Sequence, residues 1–128
     1  MLWDKYCLIR LSVQYRGRAV PLVWRVVQHH SSSVRFSVYQ AMLKRAAKLV
    51  PPGVSVCFLA DRGFADVQLM RYLRDELHWN FRIRIKSSTW IHRPSEGWKQ
   101  LNQYHLAAGE VLLLQGITLT KTKPLYAR

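Results

Sequence analysis

The chain has 128 residues, 49% of them hydrophobic, which suits one globular domain or a piece of one and excludes a disordered chain. Twenty Lys and Arg stand against seven Asp and Glu, a formal charge of +13 that points to a polyanionic partner, nucleic acid first. No run reaches the roughly 18 apolar residues of a membrane span, and no leader pattern opens the chain, so no membrane partner and a cytoplasmic location are expected. Two cysteines are too few for a disulfide framework, and Cys7 and Cys57 read as reduced core residues.

Tyr6 to Tyr15 alternates, with Cys7, Ile9, Leu11, Val13 and Tyr15 on one side and Arg10, Ser12 and Gln14 on the other. Arg16-Gly17 supplies a tight turn. Val20, Leu22, Trp24 and Val26 resume the alternation, which predicts an antiparallel hairpin with an edge at Pro21. Ser31-Ser32-Ser33 can cap a helix over 34–50 whose apolar stripe is Val34, Val38, Met42, Ala46 and Leu49, and Pro51-Pro52-Gly53 ends it. Residues 54–60 predict a short buried strand. Residues 64–77 predict a second amphipathic helix with Val67, Met70, Leu73 and Leu77 inward, and 81–86 a strand with Arg82, Arg84 and Lys86 on one face. Beyond Ser87, Trp90, Pro94, Gly97 and Trp98 mark irregular structure, followed by a hairpin of 110–114 and 117–122 across Gln115-Gly116. The order is β-β-α-β-α-β and then β-rich material. It predicts an α/β chain in which residues 1–88 build a mixed sheet flanked by helices and residues 89–128 begin a β-rich unit.

Acids are scarce, and none lies between Asp4 and Asp61. Asp61 closes the apolar run 54–60, at the carboxyl end of a predicted strand, where open α/β sheets place their ligands. It is the candidate metal ligand and catalytic acid. Phosphodiester chemistry with two Mg²⁺ ions about 3.5–4 Å apart needs several carboxylates at one place. Asp66 is expected to complement the N-terminus of the second helix, and Asp75 and Glu76 to pair with Arg71 or Arg74. Glu96 and Glu110 fall in the tail, and Asp4 precedes the first strand instead of ending one. His29, His30, His78, His92 and His105 with the cysteines show no zinc-ligand spacing. A strand spaces alternate side chains about 6.6 Å apart, close to the step of a nucleic-acid backbone. Arg82, Arg84 and Lys86 are therefore the candidate phosphate contacts, the alternative being a solvated face. Trp90, Trp98 and Tyr104 could stack on bases or fill a local core.

Three blocks carry a family resemblance: Gln14-Tyr15-Arg16-Gly17-Arg18-Ala19-Val20-Pro21-Leu22, then Leu59-Ala60-Asp61-Arg62-Gly63-Phe64, and about twenty residues later Phe81-Arg82-Ile83-Arg84-Ile85-Lys86. In order and spacing they resemble the insertion-sequence DDE transposases of the IS-four-type group, over essentially the whole chain. The resemblance implies an RNase H-like catalytic core with a β-rich insertion after its fifth strand, which cuts and joins DNA with Mg²⁺ held by three acids. By position, Asp61 matches the second acid. Arg84 and Lys86 match the basic strand near DNA, with Arg62 and Arg82 beside them as DNA-binding residues. The family's first acid ends a strand before the hairpin, and its third lies on a helix beyond the insertion in a tyrosine–arginine–glutamate–lysine pattern. Neither is found in this sequence. The expectation is an incomplete RNase H-like sheet, an internal transposase fragment that is inactive alone but retains DNA affinity. The alternatives are a non-catalytic basic nucleic-acid-binding module, or a complete metal-dependent nuclease using Asp4, Asp61 and a tail acid. In such a sheet the first strand lies between the second and the fourth. Its loss should leave a gap beside 54–60 or drive that strand onto 6–15, exposing apolar edge and leaving the chain marginally folded.

Overall fold

The structure is a computed structural model and describes residues 2–3, 5–28, 34–120 and 125–127. Asp4, the His29-His30 pair, the serine run 31–33 and the end of the hairpin expected over 117–122 lie outside the described residues.

β1 (Leu2–Trp3), β2 (Tyr6–Tyr15) and β3 (Arg18–Gln28) form an antiparallel sheet in that order. Arg16 and Gly17 both have positive φ, 48° and 76°, so the hairpin closes on a two-residue turn of the primed kind whose twist matches the strands. The register then slips. Ser12 faces Pro21 while Leu11 faces Val23, leaving Leu22 as an extra residue. Pro21 has no N–H to give the ladder, and the bulge beside it inverts the phase of the rest of β3. Val23 is buried, whereas Trp24 and Val26, expected inward, are 65% and 60% exposed. On β2, Cys7 and Ile9 are buried and Leu11 packs against them, but Val13 and Tyr15 lie past the bulge and are exposed.

α1 (Phe36–Leu49) begins after Arg35, which is extended and makes no side-chain capping bond. Its buried face is Phe36, Tyr39, Met42, Leu43 and Ala46, and Leu49 is exposed. The expected stripe is rotated because aromatic rings take the core positions. Phe36 meets Tyr39 and Tyr72, and Tyr39 meets Phe64, at centroid distances of 5.4 to 5.6 Å.

β4 (Cys57–Ala60) and β5 (Asn80–Ile83) are parallel, with Cys57 opposite Asn80 and Ala60 opposite Ile83. Between them the single helix expected over 64–77 is divided. A 3₁₀ turn (Arg62–Phe64) comes first, then α2 (Val67–Arg71), which runs into a π-helical turn (Tyr72–Glu76). Asp66 decides where α2 begins, its carboxylate accepting the Gln68 N–H at 2.6 Å. Leu69 and Leu73 are fully buried in one apolar cluster with α1, β2 and β4, while Met70 belongs to a second. β4 is shorter and barer than the predicted buried strand. Phe58 is buried, but Cys57, Leu59 and Val54 are exposed. The cause is topological: among the described residues β4 has a strand on one edge only and is not bonded to β2, so the expected mixed sheet is two sheets.

β6 (Trp90–Arg93), β7 (Gly97–Gln100), β8 (Ile117–Leu119) and β9 (Leu125–Ala127) form an antiparallel sheet of order β7-β6-β8-β9. Pro94, Ser95 and Glu96 are thus the turn of a regular hairpin in a segment expected to be irregular. The expected 110–114 strand does not form, and Val111 and Leu113 stay 91% and 79% exposed. Ile117–Leu119 instead pairs with β6 on one side and β9 on the other. Ile91, Leu119, Leu125 and Met70 make the second cluster, and Phe81 and Ile83 pack against both clusters. Among the described residues no helix is long and apolar enough to cross a membrane.

Candidate functional site

Asp61 follows β4 directly and turns the chain. Its backbone is extended, its Oδ1 accepts the Arg62 N–H at 2.7 Å, and its carbonyl accepts the Phe64 N–H at 2.9 Å. An apolar strand, a capping carboxylate and a 3₁₀ turn are what the local sequence dictates. The parallel register then delivers a cation. The Arg84 N–H donates to the Ala60 carbonyl at 3.1 Å, one step beyond the last β4–β5 pair, which places the guanidinium Nη1 3.9 Å from Asp61 Oδ1. Both side chains are largely in water, so the pair contributes about 1 kcal/mol or less.

The basic strand keeps its alternation past the end of the ladder. Arg82, Arg84 and Lys86 are exposed, and Phe81, Ile83 and Ile85 are half-buried against the core. Lys86 opens a turn, its carbonyl accepting the Thr89 N–H at 2.9 Å. Arg62 is exposed in the 3₁₀ turn next to Asp61. The structure therefore brings Arg84 to Asp61, with Arg62 adjoining in sequence, and runs Arg82 and Lys86 along the same outer face.

Asp75, Glu96 and Glu110 are engaged elsewhere. Asp75 takes the Arg74 Nε–H at 2.6 Å, and that hydrogen bond holds its carboxyl below the usual range. Glu96 accepts the Tyr104 hydroxyl at 2.6 Å and pairs with Arg93 at 3.0 Å, which lowers the carboxyl and raises the phenol. Glu110 accepts the Ala107 N–H at 2.8 Å. Among the described residues no three His, Cys, Asp or Glu side chains converge. Asp61, a lone carboxylate already capping a turn and facing a guanidinium, does not by itself fit a pair of Mg²⁺ ions.

The aromatic candidates divide. Tyr104 lies under the Lys99 ammonium at 4.3 Å and is tied to Glu96, so it is part of the local structure. Trp98 packs on His92, its cross-strand partner, at 5.2 Å, and Trp90 and Trp98 are each 37% exposed. Arg10 was not singled out in the sequence, because strand periodicity marks it only as outward. In the structure it lines, with Asp61, a cavity of about 200 Å³ between β2 and β4.

No family profile, curated protein or solved structure matches the chain. The meaning of the site rests on its geometry.

Proposed function

We propose that this chain is a segment of the RNase H-like catalytic domain of a DDE transposase of the IS-four-type group, contributing the middle acid, Asp61, and a basic DNA-binding strand, and not cleaving DNA by itself. One observation carries the reading: a carboxylate at the carboxyl end of a strand stands 3.9 Å from a guanidinium of its parallel neighbour, with further cations along that neighbour. The order of hairpin, helix, strand, helix and strand is compatible with it. Arg82 and Arg84 present forked N–H donors that match phosphate oxygens, Lys86 adds a point charge, and Arg62 extends the positive face. Asp61 fixes the turn that carries Arg62 and keeps a carboxylate beside the phosphate path. The Mg²⁺ of the complete enzyme needs carboxylates beyond Asp61, so no catalytic step is assigned to the described residues. The half-exposed Trp90 and Trp98 favour one second reading, a non-catalytic module that stacks bases on β6–β7.

Fluorescence anisotropy with duplex DNA across salt tests this. Affinity should fall steeply between about 50 and 200 mM salt, and the triple variant Arg82→Ala/Arg84→Ala/Lys86→Ala should reduce the slope of log K against log salt by about 2–3. Unchanged affinity and slope would remove the strand from the interface. Preference for the ends of the encoding element over random duplex separates the transposase reading from the module. Mg²⁺-dependent cutting that Asp61→Ala abolishes would instead establish a self-sufficient nuclease.

A further inference from the structure

Residues 5–60 carry nine Lys and Arg and no Asp or Glu. Five of the nine come to one end of the fold. Arg16 and Arg18 flank Gly17 at the β2–β3 turn, and Lys44, Arg45 and Lys48 lie on the last turns of α1. A cavity of about 550 Å³ sets the two groups at the same end. Gln14, two residues before Arg16, lines it together with Leu49, Val50 and Pro51, which follow Lys48. That end is remote from Asp61. Arg10 lines the smaller cavity with Asp61, and Arg16 comes six residues later, about 20 Å at the usual rise of a strand. All five cations are exposed, and among the described residues none has a carboxylate within 4.0 Å. Arg74, Arg84 and Arg93 each meet an acid, and the Arg25 guanidinium donates to the Val38 carbonyl at 2.8 Å.

Local structure does not call for these charges. Arg16 has φ +48°, a left-handed backbone that asparagine, aspartate or glycine adopts with less strain. Its guanidinium carbon lies 5.3 Å from the Tyr15 ring centroid, which restrains the side chain at the tip of the hairpin. The dipole of α1 favours Lys48 in the last turn, but the effect fades within a turn and accounts for neither Lys44 and Arg45 nor the tip. We propose that this end is a second phosphate-binding site, separate from β5, which holds the backbone of a nucleic-acid duplex with the Arg16–Arg18 turn and the last turns of α1. Guanidinium forks match phosphate oxygens, the lysines add point charges, and each contact releases condensed counterions. At β5 the Asp61 carboxylate stands beside Arg84 and opposes a phosphate, whereas no acid stands beside these five cations. Contacts of this kind are made to the backbone and are indifferent to base sequence. The inference uses neither Asp61 nor the β5 cations, so it does not rest on the transposase reading.

Two variants remove the charge and leave the backbone its preferences. Arg16→Asn/Arg18→Thr gives the turn an asparagine before Gly17, and Lys44→Gln/Arg45→Gln/Lys48→Gln keeps good helix formers. Circular dichroism should show both melting close to the native chain. The binding test is made in the background of Arg82→Ala/Arg84→Ala/Lys86→Ala, with random duplex DNA followed by anisotropy across salt. The slope of log K against log salt should fall by about 2 in the turn variant and by about 3 in the helix variant. A photoreactive benzoylphenylalanine in place of the exposed Ala19 should crosslink to the duplex in that background and lose the crosslink in the turn variant. Loss of slope from these variants but not from the β5 variant would keep this site and remove the β5 strand, and the reverse would overturn this site alone. An absent crosslink would also overturn it. So would binding to phosphatidylserine vesicles that the five substitutions abolish while the DNA slope stays native, since the partner would then be a membrane surface.

Discussion

Tyr39 is 4% exposed, held edge-on between Phe36 and Phe64. Burial first, and the Asp66 carboxylate second, push its hydroxyl up to about 12 from an ordinary 10.0. The folded state holds the proton more tightly than the unfolded chain. The resulting stabilisation is complete below about pH 10 and is lost as pH rises toward 12, about 3 kcal/mol at most. Denaturant titrations should show stability falling across that window in the native chain and staying flatter in Tyr39→Phe. An equal fall in the variant would assign the loss to other groups. Single residues were also where the sequence was easiest to read. Asp66 was expected to complement the start of the second helix and caps it, whereas Asp61, expected as a metal ligand, caps the turn that follows it. Cys57 was misread because an apolar neighbourhood in sequence does not guarantee a neighbour in space, and on β4 its side chain is exposed.

The β2–β3 hairpin is the element whose turn was most legible, since a two-residue loop ending in glycine suits left-handed backbone. Gly17 has φ +76° and open space where a Cβ would stand, so Gly17→Ala costs backbone strain alone, about 1 kcal/mol. Gly63 has the same open space without the left-handed φ, so Gly63→Ala should be neutral or stabilising by up to about 1 kcal/mol. Thermal melts of the two variants should therefore move apart, and equal shifts would contradict the turn geometry. The bulge at Leu22 was not legible, because counting by twos along one strand cannot see the partner that Pro21 fails to bond. The rotated face of α1 has a similar origin: its stripe is set by the rings of Tyr72 in the π-helical turn and Phe64 in the turn after Asp61, which periodicity within the helix does not reveal. Trp90 to Trp98 looked irregular because a proline and a glycine sit close together, although both serve one tight turn between short strands.

Across the whole molecule, charge was visible at once and strand order was not. The separation of β2 from β4 is a non-local fact, set by which edges meet after folding. The family resemblance led to an expected gap beside 54–60, and the structure has a groove there. The ion pairs Arg74–Asp75, Arg84–Asp61 and Arg93–Glu96 all have side chains at least 31% exposed, so they offset little of the repulsion within a chain of +13. Screening that repulsion should stabilise the fold. Tm followed by circular dichroism should rise as sodium chloride increases from low ionic strength, the opposite of the effect of salt on DNA affinity. A falling Tm would show that attractive pairs dominate.

Phe81 and Ile83 of β5 pack against both apolar clusters. A bench scientist choosing where to cut the chain for expression meets this directly. The turn after Lys86 is the natural place to separate the two halves by eye. An amino-terminal piece ending there would present Met70, Ile83 and Ile85 to water, having lost Ile91, Leu119 and Leu125 as their cover. The complementary piece would lose the floor on which its sheet rests. For this protein the smallest unit worth making runs through β9.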